Sequence, residues 1–210
     1  MLSGSHAQRA AGAARLLAAV PVHSIIGGGA WPGAHRPVED CARGARWQWE
    51  GVEFETFGLP GGSCALRIDF GGDPSFLIAD RLDADEFSAF ATQALAGQRP
   101  LRSTVVVTPR RGAVAAATPQ FVEAVDAQWI MIPGGKAAPD RLARVALHWR
   151  VDPTRVVATA AEGAVTLRLR KGLPLRWRPQ VLLQGNPLWR YHSRPVTSAI
   201  ADAMQDTPSP

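Results

Sequence analysis

The chain has 210 residues, 46% of them hydrophobic, and a formal net charge of +5 carried almost wholly by arginine. That apolar content supports one packed domain and excludes a disordered chain. Two cysteines, Cys41 and Cys64, are too few for a disulfide scaffold, and no C-x-x-C pair offers a zinc site.

The elements follow in chain order. Ala10 to Ala19 reads as an alanine-rich helix ended by Pro21. It contains Arg15 and falls short of a membrane span, and it lacks the basic leader of a signal peptide. Val22 to Ile26 is a short strand closed by Gly27-Gly28-Gly29, a loop without the spacing of a phosphate-binding fingerprint. Trp31 to Gly44 reads as a loop. Trp47-Gln48-Trp49 and Val52-Glu53-Phe54-Glu55 alternate around Glu50-Gly51, the pattern of a β-hairpin. Its tryptophans are expected to pack into the core. A stacking surface offered by Trp31, Trp47 or Trp49 is the alternative. The pair Cys41 and Cys64 reads either as one bridge or as two buried thiols.

Ser63 to Phe70 is a further strand, with Cys64, Leu66, Ile68 and Phe70 on one face. Phe76 to Ile78 is a strand, and a helix follows over Ala84 to Leu95. Asp83, Asp85 and Glu86 at its start complement the helix dipole. Thr104 to Thr108 is a buried strand that runs into Pro109-Arg110-Arg111-Gly112. A helix then opens with Thr118 as N-cap and Pro119 at its first position. Trp129 to Ile132 is an apolar strand, and Asp140 caps a helix carrying Leu142, Val145, Ala146 and Trp149. Val156 to Thr159 and Val165 to Leu169 are the last strands, joined by a Glu162-Gly163 turn. The regular pattern spans residues 1–172. Residues 173–210 read as an irregular tail with a frayed end. Strands followed by alternating strands and helices make an α/β layered domain.

The run Thr104-Val105-Val106-Val107-Thr108-Pro109-Arg110-Arg111-Gly112, with Phe121-Val122-Glu123-Ala124-Val125 after it, resembles one family motif. It is similar to the C-terminal metallo-β-lactamase-like domain of the ComEC family of competence proteins. There a strand leads into Pro-His-His-Gly-Ser and then a helix. Cys41-x-x-Gly44-x-x-Trp47-x-Trp49-x-Gly51-Val52-x-Phe54 resembles the family's approach to a hairpin. Ser63-Cys64-Ala65-Leu66-Arg67-Ile68 resembles its next strand. Phe76-Leu77-Ile78-Ala79-Asp80 resembles a strand ending in a metal-ligand aspartate, and Gly163-Ala164-Val165 the entry to its last strand. The resemblance implies an αββα metallo-β-lactamase-like sandwich. The opening strands of that sandwich have no counterpart here, so a fragment, a misassigned start or an upstream chain is expected.

The departures fall on the metal motifs. Arg110 and Arg111 stand where the family has two histidines, and Ala113 where it has serine. The first motif aligns with Ser3 to Gly12, where Gly4, His6, Gln8 and Arg9 replace ligands. Ala137-Ala138-Pro139 replaces Gly-His-Pro. Asp80 is the one matching ligand position. A two-metal clamp on a phosphodiester needs several converging ligands. The expectation is therefore a domain without metal, catalytic residue or small-molecule cofactor. By resemblance it acts in DNA uptake, on the periplasmic side of the inner membrane, beside the channel portion of a ComEC-like protein. Arg9, Arg110 and Arg111 are the residues expected on the phosphates of single-stranded DNA. Two alternatives are a zinc- or manganese-dependent phosphodiesterase using His6, Asp80, His35 and His148, and an inactive remnant.

Overall fold

A computed structural model describes residues 13–28, 37–59, 63–72, 74–79, 84–95, 101–108, 112–134, 139–162, 164–168 and 176–180. The chain is an α/β protein built on one seven-stranded mixed sheet. Helix α1 (Ala13–Ala19) leads to strand β1 (Ile25–Gly27), which pairs in parallel with β2 (Val38–Asp40). A 3-10 turn, Cys41–Arg43, then enters the main sheet.

The main sheet begins as an antiparallel meander of β3 (Arg46–Trp49), β4 (Val52–Gly58), β5 (Cys64–Asp69) and β6 (Ser75–Ile78). It continues in parallel through β7 (Val105–Val107), β8 (Trp129–Ile132) and β9 (Val156–Ala158). Strand order follows chain order from β3 to β9. Parallel neighbours need crossovers, and helices supply them: α2 (Ala84–Leu95), α3 (Pro119–Val125) and α4 (Pro139–Trp149). A short helix α5 (Thr159–Glu162) leads to an antiparallel pair, β10 (Ala164–Arg168) and β11 (Arg176–Gln180).

One face of the sheet meets the helices. Phe57, Ala65, Leu77, Val106, Ile130 and Val156 join Phe87 and Phe90 of α2, Phe121 and Val125 of α3, and Leu142, Val145 and Trp149 of α4 in one core. Phe121 sits at its centre, its ring 4.2 Å from Phe87 and 5.9 Å from Trp149, both edge to face. The other face is apolar as well. In register, Leu66, Ile78, Val107, Met131 and Val157 form one row, and Phe54, Ile68, Phe76, Val105 and Trp129 the next. Strands apolar on both faces read as continuous runs, which is why β7 and β8 stood out in the sequence.

Several expectations change. The segment read as a loop from Trp31 to Gly44 contains β2 and a 3-10 turn. Asp140 is not the cap of its helix but lies within the first turn, after Pro139. The strands after Val156 do not pair with each other: α5 carries the chain from the main sheet to a separate one. The region from residue 173 holds β11. The Thr118 cap is as expected, its hydroxyl accepting from the Phe121 N–H at 3.3 Å. The cysteines settle as one bridge, Cys41 to Cys64, with Cα atoms 6.0 Å apart and both residues buried. The bridge pins the turn before β3 to the first residue of β5.

Candidate functional site

Four parallel strands end at one edge of the sheet. In open α/β sheets, the loops leaving the carboxyl ends of such strands are where ligands bind. The strand ends here are held by polar anchors. The Ala79 N–H donates to the Val107 carbonyl at 3.3 Å, tying the exit of β6 to that of β7. Thr108, buried, donates to the Met131 carbonyl twice, from its N–H at 2.8 Å and from its hydroxyl at 3.1 Å. The Thr159 hydroxyl accepts from the Gly134 N–H at 2.7 Å and donates to the Ile132 carbonyl at 3.5 Å, joining β9 to the exit of β8. Both hydroxyls are therefore engaged in holding strand ends.

Gly112 closes the loop that leaves β7. Its φ is +77°, and an added Cβ would stand 3.0 Å from Cδ1 of Ile132, the last residue of β8. Glycine answers two demands there, a left-handed backbone and close approach to a buried side chain.

Asp80 and the pair Arg110 and Arg111 lie outside the described residues, as do Arg9, His6, His35 and Trp31. Three of them are sequence neighbours of described strand ends. Asp80 directly follows Ala79, and the two arginines lie between Thr108 and Gly112. Of the alternative ligand set, only His148 is described. Its Nε2 lies 2.6 Å from the Ala117 carbonyl oxygen, so the ring fastens α4 to the segment before α3. Among the described residues, no three His, Cys, Asp or Glu side chains gather in a way that could hold a metal ion. No described helix is long and apolar enough to cross a membrane.

The hairpin tryptophans depart from the expected core packing. Trp47 and Trp49 are not in the core: they are 37% and 67% exposed on β3, the edge strand. Alternation reveals which residues share a face but not whether anything covers it. Trp47 stacks on Phe54 of β4, centroids 5.1 Å apart and planes within 5°. On the opposite face Arg46 donates from Nε at 2.9 Å and Nη2 at 2.6 Å to Oε1 of the buried Glu55. That hydrogen bond, and then the carboxylate's charge, raise the Arg46 pKa. A groove of about 350 Å³ lies beside this edge, lined by Ser24, Ile26, Glu39, Ala45, Arg46 and Trp47.

Asp69 ends β5. Its burial favours the neutral acid, but the Gly72 and Gly71 N–H groups, each 2.8 Å from Oδ1, and Arg67 at 2.6 Å from Oδ2 outweigh it and lower its pKa. The carboxylate organises the turn into β6. Compared with protein-family models, with curated proteins and with solved structures, the chain matches none.

Proposed function

We propose that this chain is a ComEC-like competence domain of metallo-β-lactamase-like αββα architecture, serving DNA uptake by contact with single-stranded DNA and without metal-dependent hydrolysis. The observation that carries the reading is the loop leaving β7. In sequence, the segment after β7 carries Arg110 and Arg111 in place of the two histidines of the motif it resembles. Two adjacent permanent cations suit phosphate oxygens and need no metal. The second apolar face of the main sheet supports a sandwich, because such a face calls for a covering layer. The Cys41–Cys64 bridge supports a place on the periplasmic side, since disulfides persist in oxidising compartments. The channel portion of a ComEC-like protein is the partner this reading implies.

The test is fluorescence anisotropy of a labelled oligothymidine titrated with the protein across a salt series. Binding should weaken steeply with salt. Replacing Arg110 and Arg111 together by alanine should flatten the slope of log K against log salt by about 1.4, two phosphates at ~0.7 each. Salt-independent binding, or an unchanged slope in the double variant, would refute the reading.

A further inference from the structure

The edge strand β3 has a geometry that fits a second copy of itself. The Thr56 N–H donates to the Ala45 carbonyl at 2.9 Å, so Ala45 directs its backbone groups inward to β4. Backbone direction alternates along an antiparallel strand. Trp47 and Trp49 therefore also point inward, and Arg46 and Gln48 present their N–H and C=O groups outward. All four residues are exposed. The strand is short and bears one charge, Arg46, but carries no proline, no bulge and no lysine. Its hairpin is rigid, because Glu50 and Gly51, with φ of 50° and 79°, form the left-handed pair of a type I′ turn.

We infer that β3 pairs antiparallel with β3 of a second copy about a two-fold axis through Gln48. In that register Gln48 of each copy exchanges both backbone hydrogen bonds with its counterpart. Trp47 of each copy then stands opposite Trp49 of the other at a non-hydrogen-bonded pair, where cross-strand side chains are closest. Arg46, which also holds Glu55, falls opposite the other copy's Glu50 at both ends, with Glu39 on the far wall of the groove. The Trp47 ring is already fixed by its stack on Phe54, so little freedom is lost on pairing. The groove beside Ala45, Arg46 and Trp47 adjoins consecutive residues whose side chains point to opposite faces, so it runs along the strand edge. The incoming Glu50–Gly51 turn falls there. The interface is isologous and closes at two copies.

Sedimentation velocity of the full chain over a concentration series tests this. Wild type should pass from monomer to dimer. Trp49→Lys and Trp47→Glu alter exposed positions, and each alone should raise the dimer dissociation constant by about tenfold. Mixed together, they should restore a heterodimer, because the new lysine faces the new glutamate in this register and in no other. A wild type that stays monomeric overturns the proposal. So do variants that dimerise as wild type does, or a mixture that does not pair. A monomer whose tryptophan fluorescence is quenched by oligothymidine would overturn it in favour of a nucleic-acid surface on the same strand.

Discussion

Replacing Gly112 by alanine probes the junction between the arginine loop and the sheet. Two costs add. An L-residue in the left-handed region loses about 1–2 kcal/mol, and Gly112 has φ of +77°. The new methyl would lie 3.0 Å from Cδ1 and 3.2 Å from Cγ1 and Cγ2 of Ile132. Ordinary carbon contacts sit at about 3.5–4.0 Å. Ile132 is 3% exposed, and its branched Cβ leaves it little choice of rotamer. Overpacking of this kind costs about 1–3 kcal/mol. The stiffer unfolded chain returns about 0.5–1 kcal/mol. The net loss should be about 2–3 kcal/mol, or about 5–10 °C in Tm for a chain of this size. Urea denaturation followed by circular dichroism reads it, with an unchanged m-value as the sign that the native state alone is affected. Ile132→Val removes Cδ1, the nearest atom, so the alanine should cost less in that background than in wild type. A loss below about 1 kcal/mol, or strict additivity of the two substitutions, would refute the steric argument.

Two further outcomes follow from features already described. The bridge closes a separation of 23 residues, so Cys41→Ser with Cys64→Ser should cost about 3.4 kcal/mol on the chain-entropy account; an unchanged denaturation midpoint under oxidising conditions would refute that. The lowered pKa of Asp69 fixes the sign of an acid effect. Its contribution is fully present above the unfolded value of about 3.9 and is lost as pH falls through the lower folded value. The unfolding midpoint of Asp69→Asn should therefore depend less on pH at the acid end than that of wild type. Parallel curves would show that the carboxylate is not held as described.

The sequence was most legible where local chemistry and tertiary packing agree. Helix α2 was expected over its observed bounds, and the Thr118 cap and the apolar strands β7 and β8 carried strong local signals. Strand β2 was not legible, because Val38-Glu39-Asp40 shows no apolar alternation and is defined by its parallel partner β1. The exit from β9 misled for a different reason. A Glu-Gly turn fits a hairpin, but four helical residues, Thr159 to Glu162, send the chain to another sheet. At the candidate site, sequence marked Arg110 and Arg111, which lie outside the described residues. The demand that Ile132 places on Gly112 is a contact across two strands, and no local pattern announces it.

The order of the sheet has a consequence for how the chain folds. Each strand from β3 to β9 lies beside its neighbour in sequence, so no strand waits for a distant partner, and pairings local in sequence favour fast folding. The bridge joins elements near the β3 end of that order. Cys41 and Cys64 enclose β3 and β4, and their closure requires nothing made after Cys64. The bridge thus lies wholly within the part of the sheet that precedes β7, β8 and β9, and its closure does not depend on their pairing.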